Sequence, residues 1–201
     1  MNWNNQTIQT YDKSANKLAD YFKGIGPRVK DIELGLKLAN VNGNARVVEI
    51  GCGDGRDAKE IIKQVAWYEG FDPSKGMLKI AKSELPGISF VLADALTYNY
   101  PKQLDVIFAF ASLLHVNKTN LAKVFKKCAK SLRTRGIFYI SLKERDSYIE
   151  ELVKDNYGER IFYYYNVNLI TRLAGNKFKS IYMDHQKIGH TKWLTIVLKK
   201  I

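Results

Sequence analysis

The sequence predicts an α/β protein built on a doubly wound, mostly parallel, seven-stranded sheet with an antiparallel last strand. Three observations predict it. Short β-branched and aromatic runs alternate with longer segments of helical periodicity. A glycine-rich turn joins the first such run to the segment that follows it. The last two runs are joined by a loop too short for a crossover helix, which permits only an antiparallel connection. With 201 residues, 46% of them hydrophobic and 26% charged, the chain has the composition of one globular core with at most a small lid.

Residues 7–22 and 29–40 carry helical spacing, and Gly24, Gly26 and Pro27 punctuate the join. The first strand spans 46–50 (RVVEI) and leads through glycines into a helix over 56–66. A strand at 67–71, a helix at 74–85 and strands at 88–92 and 104–110 (LDVIFAF) follow. A helix at 118–132 and a strand at 136–142 (GIFYISL) complete a series of right-handed βαβ units with helices on both faces. Beyond them, 146–155 reads as a helix, 160–165 (RIFYYY) as an aromatic segment whose side chains alternate if it is a strand, and 166–174 as a further helix. Residues 178–183 and 192–199 (KWLTIVLK) close the chain as two strands, with Trp193 in the core.

Composition removes several functional classes. Cys52 and Cys128 cannot build a disulfide framework, and neither sits in a CxxC or Cys/His array, so no metal is expected and a reducing, cytoplasmic setting is. No apolar stretch approaches about 18 residues, and the first ten residues are polar, so neither a membrane span nor a signal peptide is expected. The formal net charge of +12 keeps an acidic partner such as RNA in view. The densest basic run, 123–135 (KVFKKCAKSLRTR), nevertheless places Val124, Phe125, Cys128, Ala129 and Leu132 at helical spacing with lysines between them. That is an amphipathic helix with a solvated face, without the interleaved aromatics of a nucleic-acid surface.

Chemistry concentrates at the carboxyl ends of the first three strands. In VVEIGCGDGRDA, Glu49 ends a strand and Gly51, Gly53 and Gly55 let the chain turn tightly while a ligand lies on the backbone. The N-terminus of the next helix offers N–H groups and partial positive charge to an anionic group. Asp72 ends the second strand about 20 residues on, where a carboxylate meets ribose hydroxyls. Asp94 (VLADAL) ends the third, placed for an exocyclic amine or, alternatively, for a helix cap, with Ala95 leaving room for a ring. Together the three describe an adenosine site.

These residues resemble the class I S-adenosylmethionine-dependent methyltransferases. The ordered likeness runs through VVEIGCGDGRDA, FDPSKGML, VLADA, LDVIFAFASLLHV, TRGIFYI and the reversed terminal strand, and covers nearly the whole chain. It is greatest to the small ubiquinone/menaquinone-methyltransferase-like enzymes (methyltransferase type 11/25), and within them to a bacterial branch with RDA, ASLLH and SLKE at the corresponding places. The resemblance implies S-adenosyl-L-methionine as cofactor and S-adenosyl-L-homocysteine as product. It implies Glu49 at the methionine amine, Gly51, Cys52 and Gly53 beneath the cofactor, Asp72 on both ribose hydroxyls, Pro73 and Met77 on the adenine, Asp94 and Ala95 at its amine, and Phe110 near the methyl end. Arg56 meets the methionine carboxylate or simply pairs with Asp57 or Glu60. Dinucleotide enzymes share the acid after strand two, but their glycines run GxGxxG rather than GxGxG.

By the same likeness residues 1–44 form a helical lid, 45–142 the cofactor-binding core, 143–175 a substrate-side insertion and 176–201 the terminal hairpin. Methyl transfer is an in-line displacement, and an oxygen or protonated-amine acceptor must also lose a proton. His115, a few residues past strand four, is the candidate base, with packing of the LLHV turn as the alternative, and Tyr11 is the candidate lid residue. His185 and His190, near the terminal hairpin, read as structural or exposed. Lys143, Arg160 and Tyr164, with the neighbouring tyrosines, are the candidate acceptor contacts. A small-molecule acceptor is expected, with neither membrane nor DNA as partner. An RNA methyltransferase and a noncatalytic S-adenosylmethionine-binding protein are the alternatives, the first lacking the Asn-Pro-Pro-aromatic motif that base-amine methylators carry after strand four.

Overall fold

A computed structural model describes residues 3–201 of the chain, so residues 1 and 2 of the expected lid lie outside the described residues. Helices α1 (Trp3–Lys13), α2 (Ala15–Ile25) and α3 (Val29–Ala39) precede β1 (Arg46–Ile50). The short α4 (Ala58–Ile61), β2 (Trp67–Asp72), α5 (Lys75–Glu84), β3 (Ser89–Leu92), β4 (Leu104–Phe110), α6 (Lys118–Ser131) and β5 (Leu132–Glu144) follow. Then come β6 (Ile149–Asp155), β7 (Gly158–Tyr164), α7 (Val167–Ala174), β8 (Phe178–Ile188) and β9 (Thr191–Lys200). Side chains cap three helices at their first turns: Ser74 accepts from Met77 N at 3.1 Å, Asn117 from Asn120 N at 2.9 Å and Asn166 from Leu169 N at 2.8 Å.

Seven strands form one sheet in the order β3-β2-β1-β4-β5-β9-β8. The first five are parallel, β9 runs antiparallel to β5, and β8 pairs antiparallel with β9. Strand alternation sorts the core into two layers. Val48, Ile50, Ile107, Phe138 and Ile140 pack with Leu121, Phe125, Leu169 and Ile170 of α6 and α7. Val47, Val106, Phe108 and Tyr139 pack with Ile32, Leu36, Ile61 and Leu78 from the helices of the opposite face. Helix α3 approaches closely because Gly35 has no side chain: a Cβ there would stand 2.5 Å from Phe108.

Three expectations are corrected. Residues 146–155 do not form a helix; Ile149–Asp155 is β6, paired with β7 in a separate two-stranded sheet. The tight turn at Asn156 and Tyr157, where Asp155 Oδ1 accepts from Tyr157 N at 2.9 Å, brings the aromatic β7 alongside, and cross-strand pairing overrides the helical preference of EELVK. The helix expected over 56–66 shrinks to Ala58–Ile61, because Asp57 serves Arg28 and Arg56 and the turns around it are irregular. The basic face of α6 is not wholly solvated: Lys127 Nζ donates to the carbonyls of Leu96, at 2.5 Å, and Tyr98, at 2.7 Å, and so pins the loop that follows β3.

Candidate functional site

At the carboxyl ends of β1 to β4 a cavity of about 280 Å³ opens under α1 and α2. Its floor is the glycine loop. Gly51 N and Cys52 N both donate to Phe71 O, at 2.8 and 3.1 Å, which ties the loop to the end of β2. Gly51 has φ +70°, and a Cβ on it would stand 2.3 Å from Ser112 Cβ, while Ser112 Oγ donates to Ile50 O at 2.6 Å. Only glycine satisfies both the backbone angle and that contact.

Asp72, at the end of β2, splits its two oxygens: Oδ2 accepts from Gly53 N at 3.0 Å and Oδ1 from Ser74 N at 2.8 Å. Each keeps a lone pair free, and burial raises the carboxyl to about 6 against the pull of those two donors. Glu49 is buried at the end of β1 and accepts from Tyr68 Oη at 2.6 Å; burial, helped by Asp57, raises its pKa to about 8. Asp94 also lines the cavity, and its Oδ1 accepts from Leu96 N and Thr97 N, so it caps the following turn while Oδ2 makes none of these bonds.

The anion-binding helix N-terminus expected after the glycines is not built, since α4 has only four residues. Two arginines stand there instead. Arg56 Nη2 pairs with Asp57 Oδ2 at 3.0 Å, Arg28 Nε lies 3.8 Å from the same oxygen, and both line the cavity. The Nε atoms of both are buried without a hydrogen-bond partner among the described residues. Arg28 was not singled out in the sequence; its only signal is a basic residue next to Pro27 at the start of a helix.

The cavity is also lined by Thr7, Ile8 and Tyr11 of α1, Leu113, His115 and Val116 after β4, and Trp193 of β9. Trp193 is half-buried and lines this wall rather than belonging to the closed core. Tyr11 Oη and His115 Nε2 are 3.0 Å apart, and His115 Nδ1 is 2.5 Å from Ile161 O. A carbonyl can only accept, so Nδ1 carries the hydrogen and Nε2 accepts from Tyr11. Burial, with Arg160 and Lys143 nearby, lowers the imidazole pKa to about 3.

Tyr11, Glu49, Gly51, Cys52, Gly53, Arg56, Asp72, Pro73, Met77, Asp94, Ala95, Phe110 and His115 therefore all meet at one cavity. Lys143, Arg160 and Tyr164 do not line it. Arg160 stands one layer back, with Nη1 3.4 Å from Tyr11 Oη and Nη2 ion-paired to Asp155. Lys143 Nζ sits 3.6 Å over the Phe162 ring, which packs on His115. Tyr164 lies two residues farther along β7, a step of about 7 Å, and faces Arg145. His185 is exposed and paired with Glu144 at 2.8 Å.

A mostly parallel sheet with this reversed edge, a glycine turn after β1 and acids at the ends of β1, β2 and β3 is the Rossmann-like methyltransferase fold. Residues 47–136, somewhat less than half of the chain, match the family described as methyltransferase domain. It is 29% identical over 101 residues to trans-aconitate 2-methyltransferase of Rhizobium rhizogenes, covering 49% of this chain and 39% of that protein. It is 27% identical over 144 residues to the ubiquinone/menaquinone biosynthesis C-methyltransferase of Campylobacter jejuni, covering 68% of this chain and 60% of that one. The matches thus span less than two thirds of either relative. Its fold is shared with 1,6-didemethyltoxoflavin-N1-methyltransferase of Burkholderia thailandensis, solved with bound 1,6-didemethyltoxoflavin and S-adenosylhomocysteine, at a TM-score of 0.72 and 16% identity over 96% of this chain and 87% of that one.

Proposed function

We propose that this chain binds S-adenosylmethionine in the cavity beneath α1 and α2 and transfers its methyl group to an oxygen or nitrogen atom of a small-molecule acceptor. One observation carries the reading: three strand-end acids, and two arginines whose buried Nε atoms have no partner among the described residues, line a single cavity over a glycine floor in which Gly51 leaves no room for a Cβ beside Ser112. These groups suit the cofactor's polar ends. Arg28 and Arg56 hold its carboxylate, Glu49 its ammonium group, Asp72 the ribose hydroxyls, and Asp94 the adenine amine beside Pro73, Met77 and Ala95. When bound, the cofactor supplies a methyl group already activated by its sulfonium charge.

The chain's own work is alignment and exclusion of water. Holding the two reactants in line can supply on the order of 7–11 kcal/mol. Helix α1 closes the site through contacts to β7 and the β2 end. Thr10 Oγ1 donates to Glu159 O and Ser14 Oγ to Tyr157 O, both at 2.6 Å, while Asp12 Oδ1 accepts from Ser74 Oγ and Gly76 N. This arrangement supports residues 1–44 as a lid and 143–175 as the acceptor-side insertion. The relatives named for small-molecule methylation favour a small acceptor over RNA, and Lys127, bonded to backbone carbonyls, is withdrawn from any phosphate-binding face. No described helix is long and apolar enough to cross a membrane. A reducing cytoplasm belongs to the same proposal, supported by two buried, unpaired cysteines.

Calorimetry with S-adenosylhomocysteine and NAD tests the site: tight binding of the first is expected, and binding of NAD alone would refute the assignment. A labelled methyl-transfer screen against a metabolite extract and total RNA then tests the acceptor class. Label in small molecules supports the proposal and label confined to RNA overturns it.

A further inference from the structure

At the cavity wall Tyr11 and His115 belong to a hydrogen-bonded chain whose polarity is fixed at every link. His115 Nδ1–H donates to Ile161 O, Tyr11 Oη–H donates to His115 Nε2, and Arg160 Nη1 reaches Tyr11 Oη at 3.4 Å. Both imidazole nitrogens are thereby engaged. The phenol has spent its only hydrogen on His115, so what it can offer the cavity is an oxygen lone pair. The surroundings are unbalanced in charge. Arg160 is 8% exposed and paired with Asp155, and Lys143 lies half-buried on Phe162 with no ion-pair partner among the described residues. The charged groups around the pair are Arg160 of β7, Lys143 of β5, Asp155 of β6 and Asp72 of β2, the last already serving Gly53 and Ser74.

We propose that the methyl acceptor presents a neutral nitrogen bearing an N–H, that this N–H donates to Tyr11 Oη, and that His115 and Arg160 are positioning residues for Tyr11 rather than proton acceptors. The inference rests on the reading of the cavity as a methyltransferase site and narrows its acceptor from oxygen or nitrogen to nitrogen. An alcohol or phenol is a weak nucleophile until deprotonated and needs a base, whereas His115 has no free nitrogen lone pair to offer. A carboxylate would set its lone pairs against that of Tyr11. A nitrogen needs only to be unprotonated, and the desolvation and cationic field that keep imidazole neutral act in the same sense on an amine. In the step itself the nitrogen lone pair forms the N–CH3 bond, the C–S bonding pair stays on sulfur, and sulfur becomes a neutral thioether. The nitrogen becomes cationic and sheds its proton after the product leaves, so no enzyme base enters the balance.

Two measurements test this. In 15N-histidine NMR, assigned through His115→Gln, the His115 signals are expected to show a protonated Nδ1 and an unprotonated Nε2, unchanged from pH 8 to pH 5. Protonation of His115 within that range would overturn the proposal. With labelled S-adenosylmethionine and a bacterial metabolite extract, label is expected in alkali-stable products retained by a cation exchanger. Label released by mild alkali as volatile methanol, or carried by products the exchanger does not retain, would overturn it. Tyr11→Phe should reduce the initial rate of labelling at least tenfold while changing S-adenosylhomocysteine affinity less than threefold. His115→Gln, which keeps an acceptor oxygen toward Tyr11, should retain more activity than His115→Ala, with the same pH profile. Equal loss in both variants would overturn the positioning role. Absence of S-adenosylhomocysteine binding in the unaltered chain would instead overturn the underlying site reading, which the NMR result does not depend on.

Discussion

Binding of S-adenosylhomocysteine at pH 7 is expected to release about 0.9 of a proton, and the proton comes from Glu49. Its carboxyl is buried against Tyr68 and raised to about 8, so at pH 7 roughly nine in ten molecules hold it protonated. An ammonium group brought to this carboxyl favours the ionised form, and ionising it first costs about 1.4 kcal/mol at one unit below its pKa. Affinity should therefore rise roughly tenfold between pH 6.5 and 7.5, with a small part of that from Asp72, and level off above about pH 8.5. Isothermal calorimetry in buffers of different ionisation enthalpy reads the released proton directly. Glu49→Gln should bind more weakly and release only the small fraction held by Asp72. A wild-type chain that binds without releasing protons, or a Gln variant that releases as many, would refute the placement of the amine. The same shift fixes a sign for stability. The unfolded carboxyl ionises near 4.5 and the folded one near 8, so between those values the unfolded state binds fewer protons, and the free chain loses stability as pH rises through the window.

Asp72→Asn should weaken S-adenosylhomocysteine by about 1.5–3 kcal/mol, the scale for hydrogen bonds to a charged group, and should lower the melting temperature, since its amide nitrogen cannot accept from Gly53 N or Ser74 N; calorimetry and a thermal melt decide it. Gly51→Ala should destabilise the fold by about 2 kcal/mol or more, since it adds left-handed backbone strain to a 2.3 Å contact with Ser112, and a urea titration measures it. Replacing Lys126 and Lys130 together with Gln, leaving Lys127 in place, should not change methyl transfer to a small acceptor. A steep salt dependence of RNA methylation that this double variant flattens would transfer the site to an RNA substrate.

The centre of the parallel half was legible because β1 and β4 are buried along nearly their whole length and read as continuous apolar runs. Arg46–Ile50 and Leu104–Phe110 coincide with the expected bounds for that reason. β6 was not legible. Its sequence, IEELVKD, supports a helix locally, and the decision lies with β7, which supplies an aromatic partner across a tight turn. The acids Glu49, Asp72 and Asp94 could be found because strand ends converge in a doubly wound sheet. Arg28 and Trp193 could not be: they reach the cavity from the start of α3 and from the last strand, and neither place is marked by a motif. Lys143, Arg160 and Tyr164 lie beside the cavity rather than on it, since strand alternation and β7's register, invisible in the sequence, place Phe162 between Lys143 and His115.

The attachment of α1 to β7 has a consequence for how the chain is made. Thr7 accepts from Ile161 N and Thr10 donates to Glu159 O, pairs separated by 154 and 149 positions. Helix α1 therefore gains its contacts to β7 only after the β6–β7 hairpin, about 150 positions farther along the chain, has been made. Long-range closures of this kind carry a high entropic cost and form late. The sheet around the glycine turn, with α1 already held to Ser74 and Gly76 through Asp12, can assemble before β7 arrives to close the other side of the cavity.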